Sequence, residues 1–162
     1  RRKVFMTIAI YSGSFDPITK GHLDILKSGS EIFDKVIIAV AKNSDKNGFL
    51  KIEERIDLIK KCVTNLPNVE VDTFEGLTVN YAKKKNANIL LRGLRTSFDF
   101  EYELQLSQTN NALNKNLKTV FLITKPEYNF ISSSMIRELI VNKADISQFV
   151  PKPVYEYFVN NL

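Results

Sequence analysis

The chain's single histidine, His22, lies in a stretch dense with turn formers, YSGSFDPITKGHLDIL (Tyr11–Leu26). Gly13, Ser14, Asp16 and Pro17 are loop residues. Thr19 stands at a helix N-cap position, and Gly21-His22 opens a run with apolar residues at Leu23, Ile25 and Leu26. An imidazole in a first helical turn sits beside free backbone N–H groups, where the helix dipole favours an anion. Other anion-binding side chains recur along the chain. Arg92 and Arg95 flank Gly93-Leu94, Lys42 and Lys46 share a polar loop, and Ser132, Ser133 and Ser134 precede another helical run. Arginine forks suit bidentate phosphate contacts, and a lysine acts as a mobile point charge. The chemistry these types point to is the handling of phosphate. Neither GxGxxG nor GxxxxGK[ST] occurs, which argues against the usual dinucleotide fingerprint and the P-loop. No GxSxG elbow surrounds the serines, so a hydrolase nucleophile is not indicated.

The elements that must position these residues follow from periodicity. Short apolar runs predict strands at Ile8–Tyr11, Lys35–Ala41, Val69–Phe74, Asn88–Leu91 and Lys118–Ile123. Helical spacing predicts an amphipathic helix over Ile52–Leu66, with Ile52, Ile56, Ile59, Val63 and Leu66 inward and a stop before Pro67. Further helices are predicted over Leu77–Lys85, with Val79 and Ala82 inward, and over Asp99–Asn114 and Met135–Val141, the last capped by the serines. A terminal helix follows Pro151 and Pro153. The run Lys83-Lys84-Lys85 reads as a solvated C-terminal turn. Strands alternating with helices, the strands buried, predict an α/β fold: a Rossmann-like, doubly wound, five-stranded parallel sheet with helices on both faces, in one domain over residues 1–162. Residues 1–5 read as an N-terminal extension. In such sheets the residues after each strand gather at one edge. Here they are Ser14, Phe15 and His22; Lys42 and Lys46; Gly76, Leu77 and Thr78; Arg92, Gly93 and Arg95; and Tyr128 to Ser134.

Bulk properties agree. A net charge of +5 suits a polyphosphate ligand as well as nucleic acid. Lysine and arginine are interspersed with acidic residues rather than striped, so a nucleic-acid module is not expected. One cysteine, Cys62, excludes an internal disulfide, fits a reducing compartment, and reads as a small buried hydrophobe. With one histidine and one cysteine, no zinc site is expected. No apolar run approaches the ~20 residues of a membrane span, and no membrane partner is expected.

Three motifs carry a resemblance. GSFDPITKGH (Gly13–His22) looks like the (T/H)xGH motif of the nucleotidyltransferase α/β phosphodiesterase superfamily, and FISSSMIR (Phe130–Arg137) resembles its second signature. RGLRTSFDFEYE (Arg92–Glu103) is similar to the bacterial phosphopantetheine adenylyltransferase family, and the likeness runs from Ile8 to Leu162. The resemblance implies adenylyl transfer from ATP to 4′-phosphopantetheine, giving dephospho-coenzyme A and pyrophosphate, the penultimate step of coenzyme A biosynthesis. It implies in-line attack without a covalent enzyme intermediate. His22 would be catalytic, hydrogen-bonding the α-phosphate and stabilising the transition state. Ser14, Lys46, Thr78 and Arg92 would bind phosphopantetheine. Ser14, Phe15, His22, Gly93, Leu94, Arg95, Glu103, Tyr128, Asn129, Phe130, Ile131, Ser132, Ser133 and Ser134 would bind ATP. Mg2+ would arrive with ATP, with no protein metal ligands. A cytoplasmic homohexamer is implied, with the polar face of the Asp99 helix as a subunit contact. The sequence departs from the family pattern at Ser14, often Thr; at Lys51, often Ser or Thr; at Arg137, often Lys; and at Thr96-Ser97-Phe98. Neighbouring enzymes, nicotinate mononucleotide adenylyltransferase and glycerol-3-phosphate cytidylyltransferase, share the first two motifs but not RGLR…DFEYE. A catalytically silent nucleotide sensor is a third class; the presence of His22 with both arginines argues against it.

Overall fold

A computed structural model describes residues 6–42 and 48–161. Lys46 lies outside the described residues. Five parallel strands, β1 (Ile8–Gly13), β2 (Lys35–Lys42), β3 (Val69–Glu75), β4 (Ile89–Leu94) and β5 (Lys118–Ile123), form one sheet in the order β3-β2-β1-β4-β5. The helices are α1 (Lys20–Ile32), α2 (Ile52–Cys62), α3 (Thr78–Lys84), α4 (Ser97–Leu113), α5 (Ser133–Val141) and α6 (Lys152–Asn161). A 3-10 turn spans Pro126–Tyr128.

Strand alternation divides the interior in two. Ala9, Tyr11, Val36, Ile38, Val40 and Leu91 point to one face, where they pack with Ile25 and Leu26 of α1, Leu58 and Ile59 of α2, Ile136 and Ile140 of α5, and Val154 and Phe158 of α6. Ile10, Ile37, Ala39 and Leu90 point to the other, against Val79, Tyr81 and Ala82 of α3. α4 lies on this second face, with Phe100 edge-on to Phe121 of β5 at 6.1 Å. Close approach of α1 to β4 requires Gly29, where an added Cβ would stand 2.5 Å from Leu91. The first two crossovers use one face and the next two the other, so strand order reverses between β1 and β4. That reversal opens a crevice at the strands' C-terminal ends.

Several elements differ from expectation: β4 runs three residues further, to Leu94, so Arg92 and Gly93 lie in the strand rather than after it, α4 starts two residues earlier, at Ser97, and α6 begins at Lys152, before Pro153 rather than beyond it. β1 runs two residues further, to Gly13, because β2 continues to pair with it there. α2 ends at Cys62, and its buried side is Arg55, Leu58, Ile59 and Cys62, so the inward stripe is rotated from the Ile56-centred one. Lys51 lacks a capping hydroxyl, and the helix start is held instead by Glu54, which accepts from the Lys51 N–H (2.8 Å) and from Tyr157 Oη of α6 (2.7 Å). β5 is an edge strand and only partly buried. Of the expected lysine turn, Lys85 is not simply solvated: its Nζ pairs with Asp72 at 2.6 Å and Glu70 at 3.3 Å of β3. Cys62 is buried as expected, and desolvation pushes its thiol up to about 11.

Candidate active site

The crevice between β1 and β4 holds a cavity of about 320 Å³. Its wall includes Ser14, Phe15, His22, Arg92, Gly93, Arg95, Glu103, Ile131, Ser132 and Ser133 from the expected set, with Tyr11, Asp99 and Thr124 in addition. Thr78 lies next door, in a narrow cleft it shares with Arg92 and Glu103. Leu94, Tyr128, Asn129, Phe130 and Ser134 do not line the cavity; Tyr128 faces a separate surface cleft beside Lys20 and Lys125.

His22 is positioned by the helix it begins. The Thr19 hydroxyl accepts from the His22 N–H at 3.3 Å, and the Thr19 N–H donates back to His22 Nδ1 at 3.1 Å, a capping box closed by an imidazole. Accepting at Nδ1 assigns the ring proton to Nε2, and the residue lines the cavity. Lys20 fixes the same turn: its N–H and Nζ bond the carbonyls of Phe149, Ser147 and Gln148. The Phe15 ring stands edge-on to the imidazole at 5.1 Å. Burial, with Arg95 and Arg92 nearby, lowers the His22 pKa to about 4. The group presented at neutral pH is therefore a neutral imidazole with an Nε2–H donor.

Two arginines in the cavity wall, Arg92 and Arg95, and two beside it, Arg137 and Arg55, are held in one repeated manner. Each gives its Nη1 to a backbone carbonyl and another arm to a side-chain oxygen. Arg92 bonds Ser12 O (2.7 Å) and grips Glu103 bidentately at 2.8 and 2.6 Å. Arg95 bonds Ile131 O (3.0 Å) and forks onto Asp99. Arg137 bonds Asp16 O (2.8 Å) and Ser134 Oγ (3.1 Å). Arg55 bonds Ser14 O (3.3 Å) and pairs with Asp16 at 3.2 Å. The Asp16 carboxylate also accepts from the N–H groups of Phe49 and Leu50, both at 2.8 Å. Asp16 and Arg55 are both buried, a pair whose disruption costs about 3–5 kcal/mol. The clamp holds the Ser14–Phe15 turn, where Phe15 has φ 45°, against the stem of the next loop.

The three serines divide their work. Ser132 caps α5, accepting from the Met135 N–H at 3.1 Å. Ser133 Oγ donates to Pro17 O (2.8 Å), and Ser134 Oγ accepts from Arg137. Ser133 thus spends its proton within the protein, whereas Ser132 and Ser134 only accept and keep an O–H that can serve an anion beside the first N–H groups of α5. Gly93 is needed for space, since an added Cβ would stand 2.8 Å from Ile25. The wall's two carboxylates, Asp99 and Glu103, are each held by an arginine, and no group of three potential metal-ligating side chains occurs among the described residues.

Asp16, Arg55, Asp99 and Tyr11 were not among the expected site residues. Arg55 had a legible signal, a charged residue on the same side of the helix as Ile52 and Ile59. Asp16 had none, because its partners, Phe49, Leu50 and Arg55, come from distant segments; Asp99 lies four residues from Arg95, a spacing that could have flagged the pair.

Comparison with known proteins matches this frame. The cytidylyltransferase-like family pattern covers residues 10–139. Phosphopantetheine adenylyltransferases of Gloeothece citriformis, Caldanaerobacter subterraneus and Clostridium novyi are 52%, 49% and 45% identical, spanning 91%, 93% and 97% of this chain and 94%, 94% and 98% of their own. In fold the chain is similar to a Vibrio parahaemolyticus crystal structure provisionally assigned as a nicotinate-nucleotide adenylyltransferase (TM-score 0.76, 21% identity, 96% and 93% covered). It is also similar to Plasmodium falciparum nicotinic acid mononucleotide adenylyltransferase (TM-score 0.70, 18% identity, 97% and 96% covered). At such identities these two speak to the fold alone, whereas the three closer relatives match nearly end to end. The chain belongs to the phosphopantetheine adenylyltransferase family, nucleotidyltransferases of the cytidylyltransferase-like kind.

Proposed function

We propose that the chain transfers the adenylyl group of ATP to 4′-phosphopantetheine, forming dephospho-coenzyme A and pyrophosphate in coenzyme A biosynthesis. The observation that carries this is the convergence of a neutral His22 donor, Arg92, Arg95 and the starts of α1 and α5 on one crevice, in a member of this family. An oxygen of the pantetheine phosphate attacks the α-phosphorus of ATP. The new P–O bond forms as the bond to the β-phosphate bridging oxygen breaks, and pyrophosphate leaves with that electron pair. The attacking phosphate is already an anion, so no covalent enzyme intermediate and no strong base is called for. What the protein contributes is alignment and donors aimed at developing charge.

In this reading His22 Nε2–H meets the α-phosphoryl oxygens. Ser14, Lys46, Thr78 and Arg92 hold the acceptor. Phe15, Gly93, Arg95, Glu103, Ile131, Ser132 and Ser133 hold the nucleotide. Mg2+ enters as part of the nucleotide substrate, held by phosphate oxygens and water, since Asp99 and Glu103 are committed to arginines. With a single cysteine and a reaction that uses ATP, the setting is the cytoplasm. No helix among the described residues is long and apolar enough to cross a membrane.

The test is pyrophosphate release with ATP and magnesium, offering 4′-phosphopantetheine or nicotinate mononucleotide separately. Release with phosphopantetheine alone is expected. Release with nicotinate mononucleotide alone would overturn the acceptor assignment.

Self-association into a homohexamer through α4 belongs to the same reading. The outer side of α4 is more apolar than expected: Phe98, Phe100, Tyr102, Leu104 and Leu113 are exposed, and only Glu103 is buried. A helix so placed fits a partner surface better than water. Light scattering on a sizing column should show an assembly that Tyr102→Glu with Leu104→Glu reduces to a smaller species. An unchanged mass for the double variant would remove α4 from the interface.

A further inference from the structure

No role above falls to Tyr11, although it stands in the cavity wall beside the catalytic histidine. It sits on β1, 5% exposed, with its ring 5.2 Å from Phe15 and 6.5 Å from His22. Its hydroxyl has no hydrogen-bond partner among the described residues. No side-chain polar atom there is both fully enclosed and without a partner, so the little surface Tyr11 retains opens the hydroxyl to the cavity. Arg92 and Arg95 act on it from β4 and the turn after it, Glu103 from α4 and Asp24 from α1. Burial holds the phenol well above its ordinary range, so it keeps its proton at any working pH.

A buried phenol without an internal acceptor, in a cavity framed by arginines, needs an acceptor that arrives with the ligand. We infer that the Tyr11 hydroxyl donates a hydrogen bond to a phosphate oxygen of bound substrate, making Tyr11 a further ligand-contacting residue of the site. The acceptor oxygen belongs either to the ATP chain or to the acceptor's phosphomonoester. Both offer the same chemistry, an anionic oxygen facing the β1–β4 crevice. The inference rests on the adenylyl-transfer reading of that crevice.

The decisive variant is Tyr11→Phe, which keeps the ring and its packing and removes one oxygen. Calorimetric affinity for ATP with magnesium and for 4′-phosphopantetheine, each alone, is measured beside steady-state pyrophosphate release. Loss of a hydrogen bond to a charged oxygen lowers kcat/KM by roughly tenfold or more. The substrate whose affinity falls with it identifies the phosphate. A fall in kcat with both affinities retained also supports the contact, as one made only when the phosphoryl group is in transit. Affinities and kcat/KM all within twofold of the parent protein overturn it, whatever the melting temperature does, because a purely structural hydroxyl moves stability alone. Should the variant melt early, the same comparison at 10 °C on folded protein decides by the same thresholds. If the parent protein binds ATP but does not turn over phosphopantetheine, the acceptor reading fails, and the ATP arm still tests Tyr11.

Discussion

Replacing His22 with alanine is expected to lower kcat by roughly 10²–10³-fold, the scale for losing one preorganised donor to developing charge. ATP affinity should change far less, because arginines and helix starts remain. Near-normal turnover would take His22 out of the mechanism. The same substitution opens the capping box, so a stability loss of about 1 kcal/mol is expected beside the kinetic one. The ring's electrostatics are independently measurable, since the chain contains a single histidine and gives one set of imidazole resonances. Its NMR titration should centre near pH 4, with the proton on Nε2 at neutral pH. A midpoint near 6.5 would mean that the ring is solvated and unconstrained. The folded pKa lies below the unfolded one, so between those values the unfolded chain binds the extra proton. Folding stability from this group therefore falls as pH drops from about 6.5 toward 4 and is unaffected above that window.

The second large effect is expected at Arg92. On the proposed reading, the acceptor phosphate loses a charge-assisted partner in Arg92→Ala, about 1.5–3 kcal/mol, or roughly 10- to 150-fold in affinity. Phosphopantetheine should suffer more than ATP, and the reverse order would exchange the two subsites. Arg92 also holds the Glu103 carboxylate, which is buried, so its loss leaves an uncompensated charge facing the incoming anion. The variant should therefore melt earlier. Adding Glu103→Gln should restore stability without restoring acceptor affinity. Arg92→Lys keeps the charge but cannot span Glu103 and Ser12 O together, and should fall between the parent and alanine.

Much of this was legible in the chain itself. The strands announced themselves as β-branched runs, and Thr19, Ser132 and the α3 boundaries were readable from capping chemistry and spacing. The gathering of His22, Arg92 and Arg95 at one edge followed from strand order in parallel sheets. Illegible features were those in which two distant segments share a polar group. Nothing near Asp16 in sequence says that its carboxylate caps the backbone at Phe49 and Leu50. Nothing near Ser133 says that its hydroxyl faces Pro17 O rather than a ligand. In the rotated stripe of α2, the spacing puts Arg55 on the inward side, but only the distant Asp16 shows what its charge meets there. α4 misled in the opposite sense, because Phe98, Tyr102, Leu104 and Leu113 are exposed on the single chain.

The four arginine bridges bear on what a polyanion meets on arrival. Carbonyl oxygens are the negative ends of peptide dipoles, and those left bare around a crevice would repel a triphosphate. Here the carbonyls of Ser12, Ser14 and Ile131 in the wall, and of Asp16 beside it, each accept from a guanidinium. The loops thereby turn a repulsive lining into a neutral one before any substrate binds. A lysine has the charge for this but not the planar fork that joins a carbonyl to a second oxygen. At these four positions guanidinium geometry, more than net charge, is what would suit the rim to the proposed phosphate ligands.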